Sequence, residues 1–164
     1  MAEKRRLPVL QAPQEPTEEP RPPWHWVGFG VVIILAAWLP LAYLAEFIKG
    51  RVIASFLGPV ESQDQATLAI AALSSGDRAR LTALLVALPA AALAAGALGG
   101  GYVVGRWSDK AGWREAGAAG GTVGILTGAM ALTSGISAAA LIPILLTLLT
   151  AALGGWWGAR KKTL

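Results

Sequence analysis

The sequence predicts an all-α, polytopic membrane protein: a four-helix transmembrane bundle of two hairpins with a disordered, Pro-rich N-terminal tail. Three observations carry this. Charged residues make up 15% of the 164-residue chain and hydrophobic residues 54%, against roughly 25% charged in an average soluble domain. The charges are missing from three blocks, Pro22 to Ala45, Leu81 to Gly105 and Ala116 to Ala159. More than half of the 20 Gly lie in or beside the second and third predicted spans, at helix-packing spacing. The same composition excludes other classes. With 0 Cys there is neither a disulfide scaffold nor a thiolate metal site. A single His and few acids argue against a soluble enzyme.

The chain opens on a polar, Pro-rich stretch, residues 1–23, where Glu15-Pro16 and Glu18-Glu19-Pro20 predict extended, disordered chain. It lacks the short h-region and small-residue cleavage site of a secretory signal, so the first apolar segment is expected to stay as a helix. The remainder, 24–162, reads as one four-span domain. A bilayer core about 30 Å thick needs about 20 apolar residues per helix. The first two charge-free blocks each hold one span, about 26–47 and 80–105. The third runs for 44 residues and holds two, about 116–132 and 137–158, with a turn at Thr133-Ser134-Gly135-Ile136-Ser137.

Between the first two spans lies an outside loop, 49–79. Val52, Ile53, Phe56, Leu57 and Val60 repeat at helical spacing, which carries the first helix outward until Gly58-Pro59 stops it. Ser62 and Gln65 stand at capping-box spacing and predict a short amphipathic helix from about Gln63 to Leu73, ending near Gly76. This helix reads as a connector on the outer leaflet or as a docking surface for a partner.

Orientation follows from Lys and Arg. Ten of them fall on the N-terminal side of the map: Lys4, Arg5, Arg6, Arg21, Arg106, Lys110, Arg114, Arg160, Lys161 and Lys162. Four fall on the other, Lys49, Arg51, Arg78 and Arg80, so both termini are expected in the cytoplasm, here of a bacterial inner membrane. Trp24, Trp26, Trp107, Trp113, Trp156 and Trp157 lie near span ends as interfacial anchors, whereas Trp38 lies deeper.

The strongest local pattern is Gly120-x-x-x-Gly124-x-x-x-Gly128, with Gly112 and Ala116 extending the row and Gly117-x-x-x-Gly121 beside it. Span two carries Gly96-x-x-x-Gly100 and Gly101-x-x-x-Gly105. A helix face without side chains admits a second backbone. Joined by a short loop, spans two and three are expected to be antiparallel neighbours that spend these glycines on each other. A homo-oligomeric interface is the other use. A faint repeat relates Leu88-Pro89, Ala97-Leu98-Gly99-Gly100 and Gly105-Arg106 to Ile142-Pro143, Ala152-Leu153-Gly154-Gly155 and Gly158-Ala159-Arg160. Two parallel hairpins of this kind are a known layout for small transporters.

Chemistry is sparse. No ionisable residue lies at mid-depth of a predicted span, whereas ion and proton paths need them. Glu46 sits at an outer span end, within reach of Lys49 or Arg80, and His25 reads as a solvated interfacial residue. Thr122, Thr127, Thr147 and Thr150 can return their hydroxyls to their own helices. No catalytic residue, metal or cofactor is expected, and no nucleic-acid partner. The partners expected are the lipid bilayer and either a second copy or another subunit of a membrane complex. The run Gly99-Gly100-Gly101-Tyr102-Val103-Val104-Gly105-Arg106, followed by Arg114-Glu115-Ala116-Gly117 and the glycine row, resembles small bacterial four-span membrane proteins of unknown function. The resemblance covers about Leu88 to Leu132 and implies the same membrane plan without any catalytic residue. The expected function is that of a non-enzymatic structural or accessory subunit, with a small oligomeric transporter or channel-like protein as the alternative.

Overall fold

A computed structural model describes residues 24–58, 62–108, 112–133 and 141–161. The Pro-rich tail and the turn expected over 134–137 lie outside these residues. The described chain is all-α, with α1 Trp24–Leu57, α2 Gln63–Ala72, α3 Ser75–Trp107, α4 Trp113–Thr133 and α5 Leu141–Arg160.

Three of these helices, α1, α3 and α5, are long and apolar enough to cross a membrane. The expectation was four. The difference lies in α4, whose 21 residues open on Trp113-Arg114-Glu115 and continue largely in Gly and Ala. Among the described residues the charged pair at its start and the interspersed Gly leave no window as apolar as those of α1, α3 and α5. At about 1.5 Å per residue, α4 is still about 32 Å long.

Local signals set the boundaries. Helix α1 runs through Pro40 for 34 residues, about 51 Å. It ends where Gly58 takes φ +72, a conformation that side chains disfavour. Ser62 caps α2 by accepting from the Gln65 N–H at 3.3 Å. Gly76 does not end that helix, contrary to the sequence reading. It lies in the first turn of α3, which starts five residues before the expected Arg80. Ser74 is the reason: its hydroxyl accepts from the Asp77 N–H at 3.1 Å and donates to the Asp77 carboxylate at 2.7 Å. The Arg78 guanidinium then donates to the Ala71 carbonyl at 2.8 Å, closing the C-terminus of α2.

The four long helices form a ring in the order α1, α3, α5, α4, with α3 and α4 on a diagonal. Contacts between named residues give the directions. Gly96 and Gly100 of α3 face Trp38 and Ile34 of α1, so these two are antiparallel. Gly120 and Gly124 of α4 face Thr147 and Ile144 of α5, also antiparallel. Gly101 and Gly105 of α3 face Ala151 and Gly155 of α5, so the two hairpins stand parallel. The core is built of small residues and a few branched ones, with Ile34, Ala97, Val104, Ala119, Val123 and Ala151 fully buried. Helix α2 barely touches the ring, and its Leu68 is 71% exposed.

Candidate functional site

Two regions of the ring bring together the residues singled out in the sequence. The first is the set of glycine contacts. A Cβ added at Gly101 would fall on the Ala151 carbonyl, and one added at Gly105 on the Gly155 carbonyl. From the other side, a Cβ at Gly154 would fall on the Leu98 carbonyl, and one at Gly158 on the Tyr102 carbonyl. These four contacts obey one rule: residue n of α3 is equivalent to residue n+53 of α5. Gly101 corresponds to Gly154, Gly105 to Gly158, Leu98 to Ala151 and Tyr102 to Gly155. The seam is thus two-fold related, with Gly101-x-x-x-Gly105 meeting Gly154-x-x-x-Gly158 across parallel helices. In the repeat read in the sequence only Gly105 and Gly158 keep this register, and the other pairs run one or two residues out of it. Tyr102 and Trp157 close the seam with an edge-to-face ring contact, centroids 6.1 Å apart.

The other glycines divide sharply. Gly96 and Gly100 bring α3 onto α1, where added Cβ atoms would stand 3.0 Å from the Trp38 and Ile34 Cα atoms. Gly120 and Gly124 bring α4 onto the α5 backbone at Thr147 and Ile144. Gly117 and Gly121 are looser, with the nearest atoms at 3.4 Å and 3.6 Å from an added Cβ and belonging to side chains. Gly128 is buried. The expectation that spans two and three spend their glycines on each other is therefore corrected: α3 and α4 lie diagonally, and their rows face α5 and α1. The cause is the bare stretch Gly154-Gly155-x-x-Gly158, which lets α5 wedge between them. A Cβ at Gly155 would meet Ala116 Cβ and, at 3.2 Å, Gly112 O and Trp113 Cα. Sequence reading also missed Gly30, which seats α1 against Val104 and Ala119. The four-residue spacing of Gly154 and Gly158 was the available signal for the first. Gly30 gave none.

The second region is the end of the ring where α1 and α4 begin and α3 and α5 finish. It gathers Trp24, Trp107, Trp113, Trp156 and Trp157, all exposed, while Trp26 packs against Val104 and Ala116. The Arg160 guanidinium lies 3.7 Å from the Trp156 ring centroid and that of Arg114 5.5 Å from the Trp113 ring. Arg106 donates to the Lys161 carbonyl, tying α3 to the end of α5. Glu115 turns inward and accepts from the Gly112 N–H at 2.7 Å, capping α4.

The opposite end holds an apolar cavity of about 480 Å³ among α1, α3, α4 and α5. Pro89 and Pro143 both line it, with Trp38, Leu93, Thr127 and Glu46. Pro89 lies inside α3 and cannot donate to the carbonyl four residues back, so it loosens that helix beside the cavity, whereas Pro143 stands in the first turn of α5, where a proline is tolerated. Glu46 is paired with Lys49 at 2.6 Å on an exposed face. The threonines bond within their helices: Thr122 to Ala118 at 3.0 Å, Thr127 to Val123 at 3.0 Å, Thr147 to Pro143 at 2.7 Å and Thr150 to Leu146 at 2.7 Å. Comparison with protein-family models, with curated proteins and with solved structures gives no match to this chain.

Proposed function

We propose that the chain is a four-span integral membrane protein acting as a non-enzymatic structural or accessory subunit. In this reading α4 crosses beside α5, because the two share contacts from Gly155 and Ala116 to Gly124 and Ile144. An element packed that far along a spanning neighbour occupies the same depth. Both termini then face the cytoplasm of a bacterial inner membrane.

The observation that carries the reading is how the polar groups inside the helices are spent. Each of the four threonine hydroxyls donates to a carbonyl of its own helix one turn back. Thr127 alone of the four lines the cavity, whose walls are otherwise largely apolar. Such an interior favours a rigid scaffold over a polar path for solute. The alternative, a small oligomeric transporter or channel-like protein, draws on Pro89 and Pro143 facing one cavity.

Crosslinking followed by affinity purification from membranes tests this. Recovery with a distinct membrane subunit supports the accessory reading. Recovery as a homo-oligomer that passes small solutes in reconstituted vesicles replaces it with the alternative. Topology has its own check: a reporter fused at Gly135 is expected outside the cytoplasm, and a cytoplasmic signal there removes the four-span map.

A further inference from the structure

The surface between α4 and α5 differs from the other seams. Two hollows of about 450 Å³ and 270 Å³ adjoin there, sharing Trp113 and Ala152. Their walls are Leu148, Leu149 and Leu153, and the floor includes Gly117 and Gly121. An added Cβ at either would meet α5 first through a side chain, Ala152 Cβ at 3.4 Å and Leu148 Cδ1 at 3.6 Å. Their missing side chains leave a furrow, whereas Gly120 and Gly124 press directly on the α5 backbone.

The furrow's mouth is chemically distinct from its length. The rings of Trp113 and Trp156 flank it, with Arg160 stacked on Trp156 at 3.7 Å and Arg114, which lines the smaller hollow, 5.5 Å from the Trp113 ring centroid. A guanidinium on a ring face keeps N–H groups directed in its own plane, suited to phosphate oxygens. Charge at this end is one-sided. Among the described residues Arg106, Arg114, Arg160 and Lys161 stand against Glu115, whose carboxylate caps α4. At the far end, among the described residues, Lys49, Arg51, Arg78 and Arg80 stand against three acids, Glu46, Asp64 and Asp77.

We propose that the α4–α5 furrow holds one anionic phospholipid of the bilayer, an acyl chain lying along Gly117, Gly121 and Ala152 and the phosphate between Arg114 and Arg160. The apolar length matches a hydrocarbon chain, the aromatic pair marks the interface level, and the two cations select the headgroup charge. This site rests on the membrane placement of the helices and not on whether the protein has a protein partner.

The test is retention of lipid by the full chain purified in detergent, read by native mass spectrometry. Phosphatidylglycerol and phosphatidylcholine of identical chains are offered together. At about fivefold per cation, phosphatidylglycerol should be retained about twenty-five-fold over phosphatidylcholine. R114Q with R160Q should bring the ratio close to one, and R78Q with R80Q should leave it unchanged. Gly121→Val should lower retention of both lipids by filling the furrow. Equal retention by the native chain, or an unchanged ratio in R114Q/R160Q, overturns the site. If that variant does not fold, salt decides: near 1 M, where the screening length is about 3 Å, the native preference must collapse. A chain that stays soluble without detergent overturns the membrane placement as well, which separates the two failures.

Discussion

At the basic end of the ring α3 and α5 meet backbone to backbone, whereas at the far end the same two helices wall a cavity. Both halves are built from the same four helices. The near half contains Gly101, Gly105, Gly154 and Gly158, and the added Cβ at each would fall on a carbonyl. The far half contains Pro89, Pro143 and the long side chains of Leu85, Val86 and Leu146 around about 480 Å³ of space. A glycine in a helix interior costs about 1 kcal/mol relative to alanine in water. Here it returns that cost as close contact, since lipid gives apolar side chains no reason to prefer each other and packing must hold the helices. Pro89, inside α3 in the far half, does the reverse by removing a backbone hydrogen bond. The lesson is that packing density in this molecule follows which residue interrupts the aliphatic pattern, not how apolar the segment is.

Substitutions that exchange the character of the two halves should rank accordingly. The largest effect is expected for Gly101→Leu or Gly124→Leu, because backbone cannot yield to the new side chain. A loss of about 3 kcal/mol or more, near 6–12 °C in Tm for a chain of this size, should appear in thermal scans in detergent. Unchanged Tm and unchanged oligomer size would remove the distinction between the halves. Next comes Leu93→Ala, which enlarges a cavity that already exists. With Leu93 at 8% exposure, a loss of about 2 kcal/mol is expected, at the low end for buried leucines. Ser74→Ala lies outside the ring and should cost about 1 kcal/mol, confined to faster hydrogen exchange in the first turn of α3. The smallest change is Gly99→Ala. Nothing lies within 4 Å of its added Cβ, so Tm should hold or rise by up to about 2 °C. A large loss there would show that glycine content, rather than glycine position, governs the near half.

Much of the helix layout was legible. The capping pattern at Ser62 marked α2, and the Gly58-Pro59 pair marked the end of α1, because both are encoded within four residues. Ser74, with Asp77 three residues on, carries the same kind of cap, but the sequence reading passed over it and started the span at the composition break near Arg80. Trp38 was placed inside by depth alone, and it packs on the main core. The glycine faces were found, their partners were not. Spans two and three were paired because the loop between them is short, yet Gly154, Gly155 and Gly158 allow α5 between them.

The sequence by itself determined that this chain is helical and suited to a membrane. Charge placement and hydropathy are properties of each segment taken alone, and each segment must satisfy its own backbone in lipid. It also determined which helix faces are bare. Only the tertiary structure decided which backbone lies against each bare face, since that is a competition among non-local partners. The winner is α5, whose Gly154 and Gly158 offer α3 a matching bare face in the same register, residue n against residue n+53. The same competition left Gly117 and Gly121 in looser contact with α5, beside the hollow that Arg114 lines.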